Sequence, residues 1–214
     1  MSVIQYSKKR DGNIQLTKNF KLFEFDCKDG ADEVRVSPET LDILQKIRDY
    51  VGVGVHVNSG YRTPSHNAKV GGVPNSQHIV GTAADIRTKG ASPLEVAQVA
   101  EILGASGIGL YSDFTHVDTR PKPAKWYSHD NKGCGGTFLP DLKRGAKDST
   151  CPRKIKFVSQ LQTMLKRRGC NPGNVDGSYG PATEDAVKAY QEQHNLTPSG
   201  SVTRALWTSL YTSI

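Results

Sequence analysis

Between Ser76 and Ile86 the chain reads Ser-Gln-His-Ile-Val-Gly-Thr-Ala-Ala-Asp-Ile, and this stretch limits the possible folds more than any other. His78 and Asp85 stand seven positions apart, with Gly81, Thr82, Ala83 and Ala84 among the residues between them. That separation is too long for one helical turn. The chain is expected to run away from His78, bend at the flexible Gly81, and return as a strand over Ala83, Ala84, Asp85 and Ile86. Imidazole nitrogen and carboxylate oxygen are both zinc ligands. A third candidate, His116, lies in Asp113-Phe114-Thr115-His116-Val117-Asp118. There Phe114, His116 and Asp118 alternate with Thr115, Val117 and Thr119, as on a strand. Three protein ligands with one open position is the pattern of a catalytic zinc, and no cysteine lies near either piece to suggest a structural one.

The pattern Ser-x-His-x-x-Gly-x-Ala-x-Asp, followed by His116 and preceded by Ser59-Gly60-Tyr61-Arg62, resembles the zinc D-alanyl-D-alanine carboxypeptidase family. That family includes D,D-dipeptidases and phage L-alanyl-D-glutamate endopeptidases. The resemblance covers residues 20–120 or so. It implies an α+β zinc peptidase domain of the Hedgehog/DD-peptidase type, with one zinc on His78, Asp85 and His116. Such a metal would bring a bound water down to a pKa of about 7 and polarise the scissile carbonyl. Arg62 would stabilise the oxyanion or pair with a carboxylate. The resemblance places a general base at Asp113, where part of the family has Glu-x-x-His. On a regular strand, however, Asp118 shares the face of His116 and Asp113 points away unless the turn re-aims it. Both aspartates therefore stand as candidates for the base, and either also suits a partner that orients a ligand. Ser76, Gln77 and Tyr61 are candidates for substrate contact. A loop role suits the first two equally, and packing suits Tyr61. Tyr111 and Trp126 are candidates to line the cleft. His56, His66, His129 and His194 read as ordinary histidines.

Residues 1–20 are polar, with a turn at Asp11-Gly12, and read as an irregular arm. Phe20, Leu22, Phe23 and Phe25 form an aromatic and aliphatic cluster suited to a core. Ser37-Pro38 opens a helix whose Leu41, Leu44, Ile47 and Val51 make a buried face. Val53, Val55 and Val57 read as the strand that delivers Ser59–Arg62. Residues 63–77 read as loop. Ser92-Pro93-Leu94-Glu95 starts a second helix, and Gly104 suits its end. Ile108, Leu110 and Tyr111 then pair as a hairpin with Thr115–Asp118.

The stretch 123–150 is rich in Gly, Pro and Lys and reads as a basic linker, with order in its first part around Trp126 and Tyr127. It separates a catalytic domain over residues 1–122 from a small all-α domain over 151–214. The latter shows three helical patterns, read as a three-helix bundle. Its Asp176-Gly177-Ser178-Tyr179-Gly180-Pro181, with Thr183, Ala186, Val187, Tyr190, Gln191, Leu196, Gly200 and Trp207, resembles the peptidoglycan-binding domain found beside many wall hydrolases.

Charge agrees with that division. Residues 1–119 hold 13 Lys and Arg against 14 Asp and Glu, while residues 120–150 hold 7 against 3 and residues 151–214 hold 8 against 4. The basic half suits an anionic polymer. It lacks the aromatic-basic interleaving of a nucleic-acid binder, so none is expected. No apolar run is long enough for a membrane span. The first ten residues show no apolar core after their charges and read as no signal peptide. Of the four cysteines, Cys151 and Cys170 bracket one helical pattern; a disulfide and two buried thiols both fit. The expectation is a monomeric, endolysin-like zinc hydrolase of bacterial peptidoglycan, acting at the cell wall after lysis or secretion. The alternative is a non-catalytic wall-binding protein with a relic zinc site.

Overall fold

The structure, a computed structural model, describes residues 2–127, 136–150 and 155–212. The chain forms two compact units, Met1–Phe138 and Leu139–Ile214. The Cys151–Cys170 pairing falls on Cys151, outside the described residues.

In the first unit the segment expected as an irregular arm makes strand β1 (Ile4–Ser7), antiparallel to β2 (Glu33–Val36). A single helical turn, α1 (Lys8–Asp11), follows β1, capped by the Ser7 hydroxyl. These strands have four residues each, too few for the alternation of polar and apolar side chains to stand out. Phe20, Leu22 and Phe25 are buried, but Phe23 is 49% exposed, against its expected place in the core. Leu22–Phe25 is a 3₁₀ turn, which eclipses positions three apart and so turns Leu22 and Phe25 inward and Phe23 out.

Helix α2 (Pro38–Val51) starts on the Ser37 cap and ends at Gly52 in the left-handed conformation, with Leu41, Leu44 and Ile47 buried. Strand β3 (Val55–Ser59) follows. The 63–77 stretch, expected as loop, contains α3 (Pro64–Lys69). Its signals are local: the Thr63 hydroxyl accepts from the His66 amide, and Pro64 occupies the first turn. After the turn α4 (Gln77–Val80) come β4 (Ala83–Thr88), α5 (Pro93–Ile102), β5 (Gly107–Leu110), β6 (Thr115–Asp118) and β7 (Ala124–Tyr127). One five-stranded sheet results, in the order β3-β4-β6-β5-β7. Its pairs are antiparallel except β5–β7.

The register decides which side chains meet. Asp85 pairs with His116, Ala84 with Val117, Gly109 with His116, and Gly107 with Asp118. Paired residues project from the same face, so Asp85, His116 and Asp118 share one side of the sheet. Val117 and Ile108 project from the other, where α5 packs on β5 and β6 and the Thr115 hydroxyl bonds the Pro93 carbonyl at 2.8 Å. Two glycines of β5 clear the first face. A Cβ on Gly107 would lie 2.0 Å from Asp118 Oδ1, and one on Gly109 would lie 2.6 Å from the Trp126 ring.

The stretch expected as a linker contributes β7 to this sheet. It continues to Phe138, whose amide donates to Glu101 and whose carbonyl accepts from Gln98. Lysines and prolines hide this strand from a periodicity reading. The compact units divide between Phe138 and Leu139.

The second unit holds helices α6 (Phe157–Arg167), α7 (Pro181–Gln193) and α8 (Arg204–Thr212). Val158, Leu161, Leu165, Val187, Tyr190, Leu206, Trp207 and Leu210 form its core. Gln162 ties the Asp176-Gly177 turn to α7, donating to Asp176 Oδ1 at 2.9 Å and Thr183 Oγ1 at 3.1 Å. The Tyr179 hydroxyl donates to the Gly200 carbonyl at 2.8 Å, and the Gln191 side chain accepts from the Gly200 amide at 2.9 Å. The motif residues Asp176, Tyr179, Thr183 and Gln191 therefore brace the fold.

Candidate metal centre

His78 sits on the turn α4. The Ser76 hydroxyl caps that turn and accepts from the His78 amide at 3.3 Å. Gly81 ends it with φ +89°, packed against Arg35 so closely that a Cβ would lie 2.5 Å from that side chain. Only glycine suits that position, and the reversal there aims β4 back past His78. The Gln77 side chain braces the same reversal, accepting from the Thr82 hydroxyl at 2.8 Å.

Three donor atoms then converge. His78 Nε2 lies 3.2 Å from His116 Nδ1 and 3.3 Å from Asp85 Oδ1, and His116 Nδ1 lies 2.8 Å from Asp85 Oδ1. All three residues are buried. A tetrahedral zinc with bonds of about 2.0–2.1 Å separates its ligand atoms by about 3.3 Å, so this triangle fits with small adjustment. The outer contacts select the matching tautomers. His78 Nδ1 donates to the Gly60 carbonyl at 2.7 Å, which leaves Nε2 directed at the triangle. His116 Nε2 donates to Asp118 Oδ2 at 2.9 Å, which leaves Nδ1. A metal-binding histidine is usually held this way, through its other ring nitrogen, by a carboxylate or a carbonyl.

Further partners surround the triangle. Arg62 Nη2 donates to Asp85 Oδ2 at 2.6 Å and its Nε to the Ser59 hydroxyl at 2.8 Å. Asp118 is fully buried and also receives the Arg120 amide and guanidinium. The Arg120 guanidinium stacks 4.9 Å from the centre of the Trp126 ring, which itself lies 5.1 Å from the His116 ring. Trp126 Nε1 donates to the Tyr111 hydroxyl at 3.0 Å. Arg120 lies in no motif that a sequence reading would select, and Gly60, though part of Ser59-Gly60-Tyr61-Arg62, carries no sign there that its carbonyl holds His78.

The other candidate residues lie elsewhere. Tyr61 is buried and its hydroxyl donates to Glu33 at 3.0 Å; burial and that bond push its pKa up to about 12. Ser76 and Gln77 shape the His78 turn. Asp113 stands outside the triangle, on the turn between β5 and β6, more than half exposed and paired with Arg87. Arg87 lines an open cleft together with Arg62, Asp85, His56, Lys28 and Phe114.

The electrostatics are those of a cation site. Burial lowers the His78 pKa. Burial works the same way on His116, but Asp118 and Asp85 outweigh it and push this imidazole up to about 9. Burial disfavours the charge on Asp85 and Asp118, yet their cationic partners hold both well below the usual carboxylate range. A pKa raised to about 9 favours the protonated imidazole at neutral pH, so a metal ion entering the triangle would displace a proton from His116, and that competition would strengthen as pH falls below about 9. Zinc uptake at neutral pH is expected to release about one proton, with apparent affinity falling about tenfold per pH unit. Calorimetric titration in two buffers of different ionisation heat measures that proton, and a buffer-independent heat refutes it.

The comparisons with known proteins follow the same division. A family model described as Peptidase M15 matches residues 15–118, and one described as a putative peptidoglycan-binding domain matches residues 156–210. Over 74 residues the chain is 42% identical to a probable peptidoglycan L,D-endopeptidase, MepK, of Haemophilus influenzae, covering 31% of this chain and 40% of that one. Over 81 residues it is 38% identical to a zinc D-Ala-D-Ala carboxypeptidase of Streptomyces albus G, covering 35% and 31%. The chain thus spans less than half the length of either relative. Among solved structures, a Burkholderia AP3 phage endolysin is similar over 35% of this chain and 26% of its own, at 31% identity and a TM-score of 0.30.

Proposed function

We propose, for a chain that joins a Peptidase M15 domain to a peptidoglycan-binding domain, that it is a zinc-dependent hydrolase of a peptide bond in the peptidoglycan stem. The observation that carries this reading is the buried His78–Asp85–His116 triangle, with each imidazole fixed in the tautomer a metal requires. Zinc held there supplies Lewis acidity, lowering the pKa of a water to about 7 and polarising a carbonyl.

The chain's own groups do the rest. Asp118 and the Gly60 carbonyl keep the two imidazoles oriented. Arg62 is braced by Ser59 and Asp85 on the cleft wall, where it meets the carbonyl oxygen as that oxygen gains negative charge. Asp113 takes the proton of the attacking water on its carboxylate and returns it to the leaving amine nitrogen. Lys28, Arg62 and Arg87 make the cleft cationic, which suits a stem peptide bearing carboxylates. The second unit, read as a three-helix wall-binding bundle, holds the enzyme on its polymer.

Purified protein incubated with isolated peptidoglycan is expected to release new amine and carboxylate ends. A chelator should stop the release and zinc should restore it. Mass spectrometry of the ends distinguishes D-Ala-D-Ala carboxypeptidase from L-Ala-D-Glu endopeptidase cleavage. Wall binding with no new ends would favour the non-catalytic reading.

A further inference from the structure

A second group of metal-binding side chains lies outside the triangle. Cys27 and Asp29 sit on the turn that follows the 3₁₀ segment, and His66 sits in the first turn of α3. One donor atom from each lies within 4.8 Å of the others. Cys27 is buried, His66 half-buried and Asp29 exposed, so the group opens outward from a buried sulfur.

Thr63 organises the cluster. Its amide donates to Cys27 Sγ at 3.3 Å, and its hydroxyl donates to the Asp29 carboxylate. The same hydroxyl accepts from the His66 amide at 3.1 Å and so caps the helix that carries His66. The Ala31 amide donates to the other Asp29 oxygen at 3.0 Å. Thr63, Ala31 and Cys27 hold the Asp29 carboxyl down to about 2, so it is ionised at any physiological pH. A thiol that coordinates a metal does so as the thiolate. Two anionic donors and one imidazole balance the charge of a divalent ion, and a thiolate selects for the zinc class over magnesium or calcium.

We propose that Cys27, Asp29 and His66 form a second divalent-metal site of the zinc class, separate from the His78–Asp85–His116 site. Binding replaces the Cys27 S–H bond with a sulfur–metal bond and releases the proton to solvent. The site has a place in the architecture: Lys28 lies between two of its ligands, and Arg62 precedes Thr63. Lys28 and Arg62 both line the cleft beside Asp85. A metal here cross-links the loop carrying Lys28 to the helix cap next to Arg62 and so stiffens that wall.

The two sites differ in ligand chemistry, and cobalt(II) reads the difference. Only a thiolate ligand gives an intense sulfur-to-cobalt charge-transfer band in the near ultraviolet. The full-length protein is expected to bind two equivalents of cobalt and to show this band. Cys27→Ser should lose the band and one equivalent. His116→Ala should keep the band and lose the other equivalent. Asp29→Asn and His66→Ala alter less buried positions and should weaken band formation about tenfold or more; they decide the matter if Cys27→Ser does not fold. A single equivalent without the band, or a band that survives Cys27→Ser, overturns the proposal.

Discussion

His116→Ala is expected to lose one equivalent of zinc and to lower peptidoglycan cleavage about a thousandfold or more. The ligand set explains the size. Removing His116 leaves two donors, and a Lewis acid contributes several kcal/mol to a transition state that gathers charge, each ~1.36 kcal/mol being a factor of ten. The fold should survive, because Asp118 keeps Arg120 and Asp85 keeps both Arg62 and His78. Circular dichroism should match the parent, while zinc content and released ends both fall. A milder change in the same contact calibrates the result. Asp118→Asn leaves a carbonyl to accept from His116 Nε2 but removes the charge, and a loss of about ten- to a hundredfold in zinc affinity is expected. Undiminished cleavage by His116→Ala would remove this residue from the metal site.

The sequence reading reached the triangle because its parts were encoded locally. Gly81, the small residues after it, and the alternation around His116 each described a short element, and family order joined them. What it missed was set by pairing between distant segments. No local pattern says that Gly60 offers its carbonyl to His78, 18 residues away, or that Gly107 and Gly109 make room for Asp118 and Trp126. Strand β1 was hidden for the same reason, since its partner lies beyond the Phe20–Phe25 cluster. In the 123–150 stretch the expected order around Trp126 and Tyr127 is strand β7, hidden by the lysines and prolines around it because its contacts are tertiary: Lys125 is largely covered and pairs with Glu101. Phe23 misled because a 3₁₀ turn, not a strand or α-helix, sorted that cluster.

On the proposed function the general base is a choice between two aspartates, and the second large effect separates them. Asp118 accepts from His116 Nε2, from the Arg120 amide and from its guanidinium, with no exposed surface. A carboxylate enclosed by cations holds its neighbours in place; it has no path to a water or to a departing amine. Asp113 lies more than half exposed beside Arg87, which reaches the cleft that Arg62 and Asp85 line. A base must exchange protons with substrate and solvent, which Asp113 can do, and active-site contacts often tighten only when substrate binds. Asp113→Asn is therefore expected to lower kcat by about a hundred- to ten-thousandfold with zinc content unchanged. Asp118→Asn should respond differently: its activity should recover as zinc is raised, because the defect lies in holding the metal. The reverse pattern, an active Asp113→Asn beside a fully zinc-loaded but inert Asp118→Asn, would move the proton-transfer role to Asp118 and leave Asp113 as a surface partner of Arg87.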